Sequence, residues 1–249
     1  MLRVYLAGKV AVEDGSVLVP EIRFPGRQGR LVFAILAWER QRAISLAELA
    51  DIVWDDEPPT AWETALRALV SKVRTVLDKS ANIEHAFGCY QLRLPADAWV
   101  DVEACDAAIH EAETALRDDG FERAMGSALV ANAIAGRPFL AGDVSNWSER
   151  KREHLRRARV RALEVRGRVA LACGDPTGAA TDAEIVLGLD PFRESAYALL
   201  MQAHVAGGNS AHALAAYEQL RTRLAEELGT QPSAETEAVF LDVLRAGER

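Results

Sequence analysis

The chain has 249 residues, 49% of them hydrophobic and 27% charged, with a formal net charge of −8. That balance excludes wholesale disorder and fits a folded protein of one or two domains. The apolar stretch Leu31 to Trp38 is far too short to span a bilayer, so no membrane partner is expected.

The first 30 residues read as short strands. Val4-Tyr5-Leu6, Val10-Ala11-Val12 and Ser16-Val17-Leu18-Val19 are apolar and rich in β-branched residues, with Glu13-Asp14-Gly15 as a turn. Pro20 and Pro25-Gly26 end this sheet. Leu31, Ile35, Leu36 and Trp38 then suit a helix with Arg27 and Arg30 at its start, where each holds a backbone phosphate or is a plain surface charge. Ser45-Leu46-Ala47-Glu48 is a capping box, Ser45 capping the backbone and Glu48 answering it, and a short helix follows to Trp54. Asp55-Asp56-Glu57-Pro58-Pro59-Thr60 is a polar break. The next helix is predicted over Ala61 to Lys79, with an apolar stripe of Leu66, Leu69, Val70, Val73 and Leu77. Its opposite face carries Thr64, Arg67, Ala68, Ser71, Lys72, Arg74 and Thr75. Ala86 to Leu94 reads as a hairpin strand closed by Pro95. Two helices, a turn, a third helix and a hairpin make a winged helix, whose third helix fits a major groove while the hairpin reaches adjacent backbone.

From Asp101 onward only Ala- and Leu-rich helical patterns remain. Ala172-Cys173-Gly174-Asp175 is matched 34 positions later by Ala206-Gly207-Gly208-Asn209, and Ala179 then aligns with Ala213. This is the spacing of tetratricopeptide-like helix pairs, which bury their faces only by stacking. Residues 150–168 contain nine basic side chains, but Glu149, Glu153 and Glu164 are interleaved and Leu155, Val160, Leu163 and Val165 give a buried side. A solvated helix joining repeats is expected there, one that also adds pull toward DNA or pairs with the acidic remainder. Residues 1–100 carry 12 Lys and Arg against 13 Asp and Glu, and residues 101–249 carry 17 against 24, so the acidity lies in the second part. Trp38, Trp54 and Trp62 are expected as core anchors of the first domain and Trp147 as an anchor of the repeats.

Here the chain resembles a known family. Asp190-Pro191-Phe192-Arg193-Glu194, Ala213-Leu214-Ala215-Ala216-Tyr217-Glu218-Gln219-Leu220 and Leu224-Ala225-Glu226-Glu227-Leu228-Gly229, with Pro232-Ser233 and Glu235, look like the bacterial transcriptional activation domain. Ala65-Leu66-Arg67 with Val70-Ser71-Lys72-Val73-Arg74 resembles the recognition helix of the Streptomyces antibiotic regulatory protein family. The wing reads Phe87-Gly88-Cys89-Tyr90 where that family usually has a glycine pair before the tyrosine, and Thr75-Val76 stands where a further basic residue is common. The resemblance implies a mainly α chain, with a winged helix carrying small β-sheets over residues 1–97 and a tetratricopeptide-like activation domain over 98–249. It further implies a transcriptional activator that binds repeated promoter elements in double-stranded DNA, often as a pair of protomers, and contacts RNA polymerase or its sigma subunit.

Arg67, Ser71 and Arg74 share one exposed stripe and are expected to read bases or hold phosphates, with Thr64 on the same face. Lys72 reaches phosphate or lies along the surface, and Arg93, alternating with Leu92 and Leu94, points outward to the minor groove or a phosphate. Glu63 accepts from a cytosine amine or simply favours the positive end of the helix. Cys89, Cys105 and Cys173 and the five histidines fall in no ligand spacing, and Gly8-Lys9 lacks the glycine of a phosphate loop. No cofactor, metal or catalytic activity is therefore expected. The scattered cysteines and the absence of a secretory pattern at Met1-Leu2-Arg3 point to the cytoplasm. The alternative is a repeat-based scaffold or ligand sensor whose winged helix has lost DNA affinity.

Overall fold

The computed structural model describes residues 1–55, 57–78 and 80–247, and side chains through Arg245. Asp56 of the polar break and Lys79 at the expected helix end lie outside the described residues. The chain forms two compact units, one of Met1–Asp106 with Ile134–Leu155, the other of Ala107–Ala133 with the residues from Arg156 onward.

The first unit opens with β1 (Leu2–Tyr5), β2 (Ala11–Asp14) and β3 (Val17–Val19). These pair antiparallel in order, and β7 (Trp99–Val100) adds to β1 in parallel, giving the order β3-β2-β1-β7. Next come α1 (Gly26–Trp38), β4 (Ile44–Ser45), α2 (Leu46–Trp54), α3 (Trp62–Leu77) and a hairpin of β5 (Asn82–Ala86) and β6 (Cys89–Arg93). β4 pairs with β6, closing a three-stranded sheet beside the helices. Helix α1 is buried continuously from Leu31 to Ala37 and packs against both α2 and α3. It is the pillar of the unit. Ser45 caps α2, its hydroxyl accepting from the Glu48 amide at 3.1 Å. The Glu48 carboxylate does not complete the expected box. It takes both arms of Arg42 instead, at 2.6 and 3.0 Å.

By their contacts, residues 134–155 pack with this first unit. Backbone pairing accounts for it: the Gly8 amide donates to the Pro138 carbonyl at 2.7 Å, and Ala7 bridges Phe139. Trp147 packs edge-on to Trp38 and tilted against Phe139, so it anchors the first unit and not the repeats. Lys151 sits over both indoles at 4.9 and 5.4 Å and donates to Glu39 at 2.8 Å. Trp38, Trp54 and Trp62 are only half-buried; the buried aromatics of this unit are Phe24, Phe33, Tyr90, Phe139 and Trp147.

The second unit is helical. Its elements are α4 (Asp101–Arg117, from Ala107 onward), α5 (Phe121–Ala135, through Ala133), α6 (Asn146–Ala172, from Arg156 onward), α7 (Pro176–Leu189), α8 (Glu194–Ala206), α9 (Ser210–Arg223), a π-helical turn (Leu224–Leu228) and α10 (Ala234–Gly247). Alanines dominate the contacts: Ala112 and Ala115 of α4 meet Ala124 and Ala128 of α5 and Val165 and Val169 of α6. Ala179 and Ala183 of α7 and Ala213 of α9 are buried completely, as the 34-residue register requires of helices that approach closely. Gly167 of α6 also sits at a close approach: a Cβ there would lie 2.6 Å from Leu199 Cδ2, and that side chain would have to shift. The fold is therefore a winged helix with small sheets followed by stacked helix pairs.

Candidate nucleic-acid interface

Helix α3 is the centre of the site. Leu66, Val70, Val73 and Leu77 are buried and fasten one face to the unit. Thr64, Arg67, Ser71, Lys72 and Arg74 all lie on the exposed remainder, as expected from the stripe. The side-chain heads behave differently from one another. Arg67, 55% exposed, is only loosely paired with Glu63 one turn earlier, at 3.5 Å. Such an exposed pair is worth little and exchanges readily for a stronger anionic partner. Glu63 also sits in the first turn, where a carboxylate favours the helix dipole.

Arg74 is tied inward. Its guanidinium donates twice to the Ile83 carbonyl of β5, at 2.6 and 3.0 Å, and lies 5.6 Å from the Tyr90 ring. An arginine has five N–H donors, so this tie leaves part of the fork for another acceptor. Arg93 points outward on β6 as alternation predicts, and donates to Glu84 on the facing strand at 2.9 Å. Thr75 turns its hydroxyl back to the Ser71 carbonyl of its own helix.

The wing is held from two sides. The Leu46 amide at the start of α2 donates to the Gly88 carbonyl at 2.9 Å, and Arg74 of α3 holds Ile83. At the tip, Phe87 and Gly88 both have positive φ, +51° and +73°, the pattern of a type I′ hairpin turn. Phe87 is 103% exposed. Sequence reasoning saw the wing but gave Phe87 no role, although a phenylalanine in a two-residue turn that favours Asn-Gly is a visible anomaly. It also read only one strand of the hairpin; β5 is exposed at four of five positions and so lacks an apolar signature.

Arg27 and Arg30 are occupied within the first unit. Arg27 pairs with Asp143 at 3.1 Å, and Arg30 with Glu21 and the Ala141 carbonyl, each at 3.0 Å. Burial alone would raise the Asp143 carboxyl, but the Ser145 hydroxyl and amide, the Ser148 hydroxyl and Arg27 together hold it below the ordinary value. The basic run 150–168 is likewise engaged within the units. Arg152 donates to the carbonyls of Phe139, Leu140 and Asp143, Arg156 to that of Leu189, Arg161 binds Glu113 with both arms, and Arg166 pairs with Asp182. Of its expected roles, pairing with the acidic remainder is the one these contacts match. Among the described residues no cluster of three or more His, Cys, Asp or Glu could hold a metal ion, and no helix is long and apolar enough to cross a membrane.

Comparison with known proteins gives a consistent picture. The family model described as "Bacterial transcriptional activator domain" matches residues 100–244, more than half of the chain. The chain is 29% identical to the regulatory protein AfsR of Streptomyces coelicolor, over 94% of this chain and 27% of AfsR. It is 27% identical to the regulatory protein DnrI of Streptomyces peucetius, over 95% of this chain and 89% of DnrI. It thus spans about a quarter of AfsR but most of DnrI. Among solved structures, Mycobacterium tuberculosis EmbR in complex with a low-affinity phosphopeptide superposes with a TM-score of 0.87 at 23% identity, covering 98% of this chain and 65% of EmbR. These regulators agree with the resemblance to Streptomyces antibiotic regulatory proteins, and the superposition shows the winged-helix and helical-repeat fold.

Proposed function

Because the chain belongs to the bacterial transcriptional activator domain family, we propose that it is a sequence-specific DNA-binding activator of transcription. The observation that carries this reading is α3: one face is buried by Leu66, Val70, Val73 and Leu77, while the other presents Thr64, Arg67, Ser71 and Lys72 beside a braced hairpin. The helix enters the major groove, with Arg67 and Ser71 at base edges or phosphates and Thr64 and Lys72 on the backbone. Arg74 joins helix to wing and offers its remaining donors to a phosphate; Arg93 trades Glu84 for the backbone beside the wing. The protein acts in the bacterial cytoplasm, two protomers occupying promoter repeats, and the acidic helical unit meets RNA polymerase or its sigma subunit. It is a regulator and not an enzyme. Its buried carboxylates are spent on structure: Asp101, which burial pushes up, accepts from the Leu6, Ala7 and Val102 amides.

One observation favours a second reading, a scaffold without DNA affinity: Arg67, Arg74 and Arg93 each have an internal partner. A salt series decides between them. If α3 and the wing neutralise about four phosphates, log affinity for a duplex selected from a random pool falls about 3.6 units per tenfold rise in salt. Arg67→Ala weakens specific binding by about 5- to 150-fold, a loss of ~1–3 kcal/mol. A flat salt response, or wild-type affinity in Arg67→Ala, favours the scaffold.

A further inference from the structure

The wing tip carries a feature that α3 does not explain. Phe87 is 103% exposed, the most exposed of the large hydrophobic side chains among the described residues, and its backbone is in the left-handed region at φ +51°. A phenylalanine gains nothing there for folding: its ring covers no apolar surface, and its Cβ is disfavoured at positive φ. The tip is nonetheless built rigidly. Gly88 is bonded to the Leu46 amide of α2, and Ile83 to the Arg74 guanidinium of α3. The two helices of the helix-turn-helix therefore both hold the hairpin that carries the ring. Ala86, with a single methyl, and Gly88, with no side chain, flank the ring, so nothing on the turn itself blocks close approach.

Building on the DNA-binding reading above, we propose that Phe87 is a wedge that enters the minor groove next to the site of α3 and partly unstacks a base step there. An apolar ring is suited to that contact, because it inserts between bases without needing a hydrogen-bond partner, and minor-groove proteins kink DNA by this means. Stacking on the ring offsets the cost of unstacking and bending the duplex, so the preferred step is a flexible pyrimidine–purine step, where that cost is lowest and which the chain reads by shape.

The test uses the full chain and a duplex that the wild-type chain selects from a random pool, with 2-aminopurine placed in turn at each adenine flanking the α3 footprint. Wild-type binding is expected to raise 2-aminopurine fluorescence at one position and to bend the duplex in a gel permutation assay. Phe87→Ala and Phe87→Gly should abolish both signals and weaken binding by about 5- to 20-fold, with an unchanged salt slope because no phosphate contact is removed. Phe87→Gly should also raise Tm by ~2–5 °C, since glycine tolerates the positive φ, which shows that lost affinity is not lost folding. Phe87→Trp should keep the signals. Wild-type affinity and fluorescence in Phe87→Gly overturn the wedge while leaving DNA binding by α3 intact. An unchanged DNA affinity with lost binding of RNA polymerase in Phe87→Ala also overturns it and assigns the ring to a protein. Failure of the wild-type chain to enrich any duplex overturns the DNA-binding reading itself.

Discussion

Three exposed arginines in the winged helix differ in what their guanidinium groups already hold. Arg67 has a weak exposed carboxylate, Arg93 a closer one across a strand pair, and Arg74 a backbone carbonyl that it must release or share. The distinction was invisible in the sequence, where a stripe of arginines at helical spacing looks uniform; the Ile83 carbonyl comes from a strand whose position depends on the fold. A residue of the opposite kind is Glu164, buried in the second unit. Burial would raise its carboxyl, but Arg193 with both arms at 2.9 Å, the Ser195 hydroxyl and nearby arginines outweigh that and hold it below the ordinary value of 4.5. A folded-state value below the unfolded one gives stability that is fully present above pH 4.5 and lost as pH falls through the folded value. Glu164→Gln is expected to cost about 1–2 kcal/mol at pH 7, discounted because the Arg193 side chain is 40% exposed. The difference between the two proteins should shrink below pH 4.5 in urea melts. Parallel curves from pH 7 to pH 3 would remove Glu164 from the acid response.

At the scale of elements, the periodic parts of the chain were readable. The α3 stripe of Leu66, Val70, Val73 and Leu77 fixes which face is free, and its end was missed by only a couple of residues because Asp78 turns to φ +49° without a glycine to announce it. The repeat register was readable for a steric reason: only alanine fits where two helices cross closely, so Ala179 and Ala213 mark equivalent crossings 34 residues apart. Replacing Ala213 by Trp should therefore cost on the order of 1–3 kcal/mol or more by overfilling the α8–α9 contact. The second unit should then melt at lower denaturant while the first keeps its transition, followed through the near-ultraviolet signal of Trp38 and Trp147. A single unchanged transition would mean that Ala213 does not line a crossing. Helices α1 and α2 were placed correctly because Pro25-Gly26 and the Ser45 cap punctuate them locally.

On the scale of the whole molecule, what the sequence concealed was membership. Phe139, Trp147 and Lys151 look like ordinary residues of a helical run, and nothing within that run says that they close on Trp38 and Glu39 of the first unit. Non-local pairs leave no periodicity. Likewise Asp101 follows the last strand in sequence, yet its carboxylate satisfies the Leu6 and Ala7 amides at 2.9 Å. A fragment of residues 1–97 should accordingly fold poorly: it strands those two buried amides, loses β7 from the sheet and exposes the indole of Trp38. Circular dichroism should show no cooperative melt for that fragment under conditions where the full chain melts sharply; an equally sharp melt would mean that residues 134–155 are dispensable. The same membership governs how such regulators can be recombined. A chimaera that exchanges promoter-reading halves between relatives at the obvious seam near residue 97 would pair one parent's Trp38 with the other's Phe139 and Trp147. A working exchange must instead carry two separate pieces of the donor, the front of the chain and the stretch from Ile134 to Leu155, despite the 27 residues between them.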